Sequence, residues 1–60
     1  MEITVTFEYH GMSRSIDFNV DILPKIGEEV TFKNGNIKFH CEVKRIWHNF
    51  SENTIELIVE

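Results

Sequence analysis

Residues 2–18 read EITVTFEYHGMSRSIDF, and apolar and polar side chains alternate along this stretch up to the pair His10-Gly11. A period of two is the repeat of a β-strand, because successive side chains point to opposite faces of a sheet. The stretch before the glycine therefore predicts a strand with one buried and one wet face. Its buried face is formed by Ile3, Val5, Phe7 and Tyr9.

The pair His10-Gly11 predicts a two-residue hairpin turn. Glycine accepts a positive φ freely, and histidine tolerates it better than most residues. A turn at this pair places Val5 opposite Ile16 and Ile3 opposite Phe18. All four side chains then share one face, an agreement that a shift of one residue would destroy. We expect the second strand to cover about residues 13–21.

A second hairpin is predicted after an irregular connection over residues 22–28, which holds the only proline and Gly27. Alternation resumes at residues 29–33 and ends at Asn34-Gly35, the strongest short-range hairpin signal. With this pair as the turn, Phe32 lies across from Ile37 and Val30 lies across from Phe39. Both pairs again share a face.

The next segment, residues 36–50, is too long for one flat strand in a chain of this size. The residues predicted to point inward have odd numbers before Lys44-Arg45 and even numbers after that pair. A β-bulge produces such a change, since it adds one residue to one strand and bends it. The predicted inward residues are Ile37, Phe39, Cys41 and Val43, then Ile46, His48 and Phe50.

Residues 54–60 predict the last strand, which pairs Ile55 with His48 and Leu57 with Ile46. No helix is predicted, so the chain is expected to be a single all-β domain over residues 1–60. Five strands with a bent fourth fit a small SH3-like barrel, in which curling protects the edges of the sheet. A strongly bent antiparallel meander that pairs its edges in a dimer is the alternative.

Chain length and composition limit what the protein can be. Sixty residues with 42% hydrophobic and 27% charged residues suit one small globular domain. A core of this size supplies only about 3–5 kcal/mol, and the single cysteine excludes an intrachain disulfide. A homodimer is therefore expected. The lone cysteine, the lack of a basic leader and the lack of a long apolar run predict a cytoplasmic protein without membrane contact.

The charge is distributed unevenly around a net value of −4. Residues 33–50 hold four cations against one carboxylate, whereas the rest of the chain holds two cations against nine carboxylates. This asymmetry predicts two surfaces of opposite sign. The acidic residues on the outer face of the first hairpin suit a basic partner surface; they are Glu2, Glu8, Asp17 and Asp21.

No catalytic, metal or cofactor site is predicted. Cys41 and His40 are adjacent on a strand and so point to opposite faces, and an inward cysteine acts as a small hydrophobe. The paired close spacing of structural zinc ligands is missing, since the other histidines are His10 and His48. The chain is also too short to enclose a substrate pocket. We expect neither an enzyme nor a small-molecule substrate.

A protein-binding surface is predicted on the outer face of the last hairpin. The register places Trp47 opposite Glu56 and Arg45 opposite Ile58, so Trp47 and Ile58 are diagonal neighbours. Exposed Trp beside Ile and Arg is typical of interface anchors. These three residues are the candidate dimer or partner contact. The alternative is that the register differs and Trp47 belongs to the core.

A nucleic-acid interface is the second hypothesis. Cations for phosphates and an aromatic ring for stacking a base are the minimum for binding a single strand. The negative net charge weighs against it, because it slows the approach of a polyanion. The candidate stripe consists of Lys33, Lys38, Lys44, Arg45 and Trp47.

Three spaced motifs stand out in the second half of the chain: Leu23-Pro24-x-x-Gly27-Glu28-x-Val30-x-Phe32, Val43-x-x-Ile46-x-His48-x-Phe50 and Ile55-x-Leu57-x-Val59. With these motifs the chain resembles small single-domain β proteins encoded by phages and prophages, most strongly over residues 22–60. Some phage proteins of this size, such as those counteracting the Hachiman, Thoeris or Gabija systems, are dimeric binders that disable bacterial defence enzymes. The resemblance implies a phage or mobile-element accessory protein in the host cytoplasm, which binds and inhibits a host protein. A structural phage component is the alternative, and no site residue follows from the resemblance.

Overall fold

The alternating segments form five β-strands in a computed structural model that describes all 60 residues. The strands run in the order β2-β1-β5-β4-β3 within one strongly curled sheet, a half-barrel. This confirms the predicted all-β, barrel-like fold without a helix, and so there is no helix long and apolar enough to cross a membrane. The strands are β1 (Glu2–Tyr9), β2 (Met12–Asn19), β3 (Glu29–Asn34), β4 (Ile37–Asn49) and β5 (Thr54–Val59).

The first hairpin has the predicted register, with Val5 opposite Ile16 and Ile3 opposite Phe18. Its turn residues have φ values of 53° at His10 and 75° at Gly11. Positive φ at both central residues is the pattern of a type I′ turn, whose twist matches that of the flanking strands. The strand β2 ends at Asn19, two residues before the predicted end.

The register of the second hairpin was predicted wrongly by two residues. The structure pairs Phe32 with Phe39 and Asn34 with Ile37, so the turn is Gly35-Asn36 rather than Asn34-Gly35. Gly35 has a φ of 63°, whereas Asn36 is not among the residues with positive φ. A type II′ turn has a positive φ at its first central residue, usually a glycine, and a negative φ at its second central residue. Because the shift is even, every side chain keeps its predicted face.

The predicted bulge is present in β4, where the pairing with β5 shifts between Val43 and Arg45. Residues 37–42 of β4 pair with β3, whereas Val43 and residues 45–49 pair with β5, so the second and the last hairpin share this strand. The connection from β2 to β3 also forms backbone hydrogen bonds with β4 at Val43, next to the bulge. Gly27 donates its N–H to the carbonyl of Val43, and Val43 donates its N–H to the carbonyl of Glu28, both at 2.9 Å.

The first and last strands are neighbours in the sheet and run parallel, with Val5 opposite Leu57. All other neighbouring strands are antiparallel. A mixed sheet therefore forms, in which β5 joins the first hairpin to the second.

The core lies on the concave face of the curled sheet. Aromatic rings fill one side of it: the ring of Phe7 lies 5.0 Å from that of Phe32 and 4.8 Å from that of Phe39, centroid to centroid. The fully buried residues come from β1, β4 and β5; they are Ile3, Val5, Phe7, Val43, Leu57 and Val59.

Three residues predicted to point inward are exposed instead. Ile37 lies at the start of β4 and is 42% exposed, and Phe50 lies in the turn after β4 and is 91% exposed. His48 is also exposed, although it pairs with Ile55 as predicted. The buried residues of β5 are Leu57 and Val59, so the far end of this hairpin extends past the core.

Candidate protein-binding face on the last hairpin

The outer face of the hairpin formed by β4 and β5 carries three neighbouring residues, Arg45, Trp47 and Ile58, here named the Trp47 face. The register is the predicted one, with Trp47 opposite Glu56 and Arg45 opposite Ile58. Trp47 is 56% exposed, so it belongs to the surface and not to the core. A large aromatic ring on the wet face of a sheet has no role in core packing.

Glu56 borders this face and is held by a chain of side-chain hydrogen bonds across three strands. The hydroxyl of Thr6 on β1 lies 2.6 Å from Oε2 of Glu56 and donates to it. The same hydroxyl oxygen lies 2.9 Å from the hydroxyl of Ser15 on β2. Trp47 therefore lies opposite a residue whose carboxylate is held in place by hydrogen bonds, and this carboxylate forms a polar border to the face.

The tip of the hairpin presents a second aromatic ring, that of Phe50, which sequence analysis had assigned to the core. The loop runs from Phe50 to Asn53, between the paired residues Asn49 and Thr54. Asn53 has a φ of 55°, and the N–H of Glu52 donates to Oδ1 of Asn49 at 3.1 Å. This side-chain turn is typical of asparagine. The polar run around Phe50 was the signal that could have identified a loop.

Trp47 and Phe50 border one open concavity of about 700 Å³ at the end of the hairpin. The other residues around it are polar, and the ring of Phe50 lies nearly parallel to that of His48 at 6.2 Å. Two exposed aromatic anchors within a polar rim are the usual anatomy of a protein-binding site. The complete lining is Trp47, His48, Asn49, Phe50, Ser51, Glu52, Thr54 and Glu56.

The candidate basic stripe begins with two lysines that face each other. Lys33 on β3 lies directly opposite Lys38 on β4, and neither side chain has a carboxylate within 4.0 Å. Like charges opposite each other destabilise a strand pair slightly. These two residues form a small cationic patch near the second turn.

The rest of the stripe does not continue from that patch, because two carboxylates interrupt it. Glu29 lies opposite Glu42 between the lysine pair and the bulge. Nζ of Lys44 lies 3.3 Å from Oε2 of Glu42, and Nε2 of His40 lies 3.5 Å from Oε2 of Glu29. The predicted stripe is thus divided in two, and its Arg45 end belongs to the Trp47 face.

Cys41 and His40 do not form a nucleophile–base pair. Cys41 is half-buried on the inner face opposite Val30, and His40 is exposed on the outer face near Glu29. Burial raises the pKa of the Cys41 thiol, which disfavours the nucleophilic thiolate. No three His, Cys, Asp or Glu side chains converge in a way that suits a metal ion.

Comparison with known proteins found no matching family model, no matching curated protein and no matching solved structure. The functional argument therefore depends on the sequence and the geometry of this chain.

Proposed function

We propose that this protein is a non-enzymatic protein-binding module that contacts its partner through the Trp47 face. The observation that carries the proposal is the 56% exposure of Trp47 on an outer sheet face, beside Ile58 and Arg45. Trp and Arg are the residues most enriched among the contacts that dominate interface free energy. Removing this ring from water on binding gives affinity, and the arginine gives specificity by pairing with an acceptor.

The partner in solution includes a second copy of the chain, and the proposed assembly is a homodimer. Support comes from the small size of the core, which has six fully buried residues. A domain this small commonly gains stability by association. In an isologous dimer the same face of both copies meets, so Trp47 and Arg45 would each be used twice.

The proposed biological role is that of a phage or mobile-element accessory protein that inhibits a host protein, a bacterial defence enzyme. Support for this role comes from the resemblance over residues 22–60. A structural phage component is the alternative, and it predicts large assemblies rather than dimers in light scattering.

Affinity capture from a bacterial lysate tests the proposal with three tagged chains. The wild-type chain and the control Ile22→Ala should retain the same host protein, because Ile22 is 82% exposed but belongs to the connection between β2 and β3 and not to the Trp47 face. Trp47→Ala should lose it. Equal retention by all three chains would show that the Trp47 face is not the contact.

A nucleic-acid-binding function is the second candidate, and the cationic patch of Lys33 and Lys38 favours it. It predicts micromolar or tighter binding of a single-stranded oligonucleotide that weakens as salt rises. The double variant Lys33→Glu with Lys38→Glu should abolish that binding. Absence of binding at low salt would leave the protein-binding function as the better account.

A further inference from the structure

Arg45 is an exposed cation that has no charged partner within its own chain. It lies on the outer face of β4, two residues from Trp47 and opposite Ile58. No carboxylate lies within 4.0 Å of its guanidinium, since both ion pairs of the chain use other residues. The single cation–π contact joins Arg14 and Tyr9, so this guanidinium does not lie over the Trp47 ring either. Arginine offers five N–H donors in a fork that matches a carboxylate, and no partner within the chain uses this fork.

Glu56 carries the opposite charge and keeps one carboxylate oxygen free. It lies half-buried on β5, opposite Trp47, and its Oε2 accepts the 2.6 Å bond from the hydroxyl of Thr6. No cation lies within 4.0 Å of this carboxylate. A partly desolvated carboxylate gains more from a cation than a fully solvated one, because the local dielectric constant is lower.

The concavity beside Glu56 is suited to a cation. Its lining includes the rings of Trp47 and Phe50 and the residues Glu52 and Glu56, and it includes no Lys or Arg. His48 also lines it, with its ring stacked on that of Phe50. Aromatic faces and carboxylates both attract a guanidinium group. A single chain therefore presents the acceptors for a cation without the cation.

The other five cations of the chain are already engaged or belong to other surfaces. Lys44 forms its ion pair with Glu42, and Arg14 lies over the ring of Tyr9. Arg45 is thus the only unpaired cation on the outer face of the last hairpin. The remaining three lie near the second turn or in the connection between β2 and β3; they are Lys33, Lys38 and Lys25.

The outer face also holds carboxylates that a second molecule has to avoid. Oδ1 of Asp17 on β2 is bonded to the hydroxyl of Thr4 at 2.7 Å, and Glu42 is paired with Lys44. The core lies on the concave side of the sheet, so the outer face is convex. Residues on β1 and β2 therefore recede from a molecule that contacts β4 and β5. The other carboxylates in question are Glu2, Glu8 and Glu60.

Arg45, Trp47, Glu56 and Ile58 form the corners of one quadrilateral on the outer face. Trp47 is opposite Glu56 and Arg45 is opposite Ile58, so the two charged residues lie on one diagonal and the two apolar residues on the other. A two-fold axis along the apolar diagonal exchanges Arg45 with Glu56. Two copies related by this axis bring opposite charges together twice and apolar side chains together at the centre. The two hairpins then cross, as strands do when sheets pack orthogonally.

We propose that a second copy of the chain occupies this face, and that Arg45 of each copy pairs with Glu56 of the other copy beside the ring of Trp47. The inference rests on the proposed homodimer and names the contact that specifies it. Self-complementarity is what favours a second copy over a foreign protein. The same face supplies the cation, the carboxylate that lacks one and the apolar centre, and the pairing is incomplete in a single chain.

Charge reversal tests the pairing, with light scattering over a series of chain concentrations. The wild-type chain should reach twice its 7.1 kDa mass as the concentration rises. Arg45→Glu and Glu56→Arg each bring like charges together twice, so each variant should associate about tenfold more weakly or worse, a loss of about 1.4 kcal/mol. An equimolar mixture of the two variants should dimerise, because positions 45 and 56 then meet with opposite charges at both contacts. The double variant should dimerise for the same reason.

Two controls carry the same changes of charge on another surface. Lys25→Glu and Asp21→Arg lie in the connection between β2 and β3, where both residues are exposed, and both should associate like the wild-type chain. Circular dichroism checks the folding of every variant. Glu56→Gln keeps an acceptor for the hydroxyl of Thr6 and removes the charge. It should also weaken association, and it makes the same test if Glu56→Arg does not fold.

The possible results separate this inference from the proposed function. If Trp47→Ala is monomeric while both charge variants dimerise like the wild-type chain, the Trp47 face is the interface and the pairing of Arg45 with Glu56 is wrong. A mixture that stays monomeric while the wild-type chain dimerises also overturns the pairing. A loss of unfolding free energy in Arg45→Glu that is equal at every concentration identifies a pair within one chain and overturns it too. A wild-type chain that stays monomeric overturns the inference, and capture of a host protein then tests the proposed function by itself.

Discussion

The hydroxyl of Thr6 donates a hydrogen bond of 2.6 Å to Oε2 of Glu56, a residue 50 positions later in the chain. The contact is possible because β1 and β5 are parallel neighbours, with Thr4 opposite Glu56 and Thr6 opposite Ile58. It joins the two ends of the chain on the outer face and fixes the carboxylate beside Trp47. Stability and the geometry of the Trp47 face are therefore linked through one side-chain pair.

Replacing Thr6 by Val should lower the free energy of unfolding by about 1.5 kcal/mol or more, since a hydrogen bond to a charged group and the contact with Ser15 are lost while the shape is kept. Ser15→Ala is the matched control, because it removes only the 2.9 Å contact between two hydroxyls and should cost less. Urea unfolding followed by circular dichroism measures both. Equal costs for the two variants would contradict the role given to the Thr6–Glu56 bond.

Leu57 is the most informative core position, because it is 1% exposed and pairs with both Val5 and Ile46. Leu57→Ala should cost about 2–5 kcal/mol of unfolding free energy, or prevent folding, because it leaves a cavity in a small core. Ile22→Ala should change the unfolding free energy by less than about 0.5 kcal/mol, since Ile22 is 82% exposed. A mild effect of Leu57→Ala would show that the packing between β5 and β1 is not the centre of the fold.

The second turn has a discriminating pair of substitutions. Gly35 has a φ of 63°, and a methyl group there would meet no atom within 4 Å, so the cost of Gly35→Ala is conformational. We expect a loss of about 1 kcal/mol, the usual penalty for Ala at a positive φ. Asn34→Ala should cost less, because Asn34 is a strand residue. If Asn34→Ala costs as much as Gly35→Ala, then Asn34-Gly35 is the turn after all.

That turn shows where sequence analysis of the fold reaches its limit. The alternation from Ile3 to Phe18 determines a register, because only one pairing brings Val5 and Ile16 to the same face. A turn at Asn34-Gly35 and a turn at Gly35-Asn36 place every side chain of the hairpin on the same face of the sheet. The hydrophobic pattern therefore cannot choose between these two registers, which differ by two residues. The parallel pairing of β1 with β5 was also beyond prediction, since no local signal marks a contact between strands so far apart.

Only part of the candidate site could be predicted, because the alternation of apolar residues was again the main signal in the sequence. Trp47 was correctly predicted to lie on the outer face, because the bulge at Lys44 appears in the sequence as a switch of the apolar residues from odd to even positions. Phe50 was wrongly predicted to point inward because its position, like that of Ile46, is even-numbered. The strand β4 ends at Asn49, so this alternation no longer applies at Phe50. The apolar groove between β2 and β3, which has Ile3, Val5 and Leu57 among its lining, could not be predicted at all. It depends on how strongly the sheet curls, which is a property of the whole chain.

The reactivity of Cys41 should depend on pH in a way that reports its burial. Burial raises the pKa of the thiol in the folded chain, so the neutral form is favoured there. Because the folded pKa is the higher one, the folded chain is most stable relative to the unfolded chain below the unfolded pKa of the thiol, and this stability is lost as the pH rises through the folded pKa. Alkylation by iodoacetamide should reach half its maximal rate at a higher pH in the folded chain than in urea. The same or a lower midpoint would contradict this.

Trp47 is the single tryptophan, so its fluorescence reports directly on the face proposed to bind protein. In a dilute sample its emission should be that of a solvated indole, and acrylamide should quench it efficiently. As the chain concentration rises and dimers form, or when a captured host protein is added, the emission should shift to shorter wavelength and quenching should fall. If complexes form, as judged by light scattering, while the emission and the quenching of Trp47 stay unchanged, then the Trp47 face is not the interface.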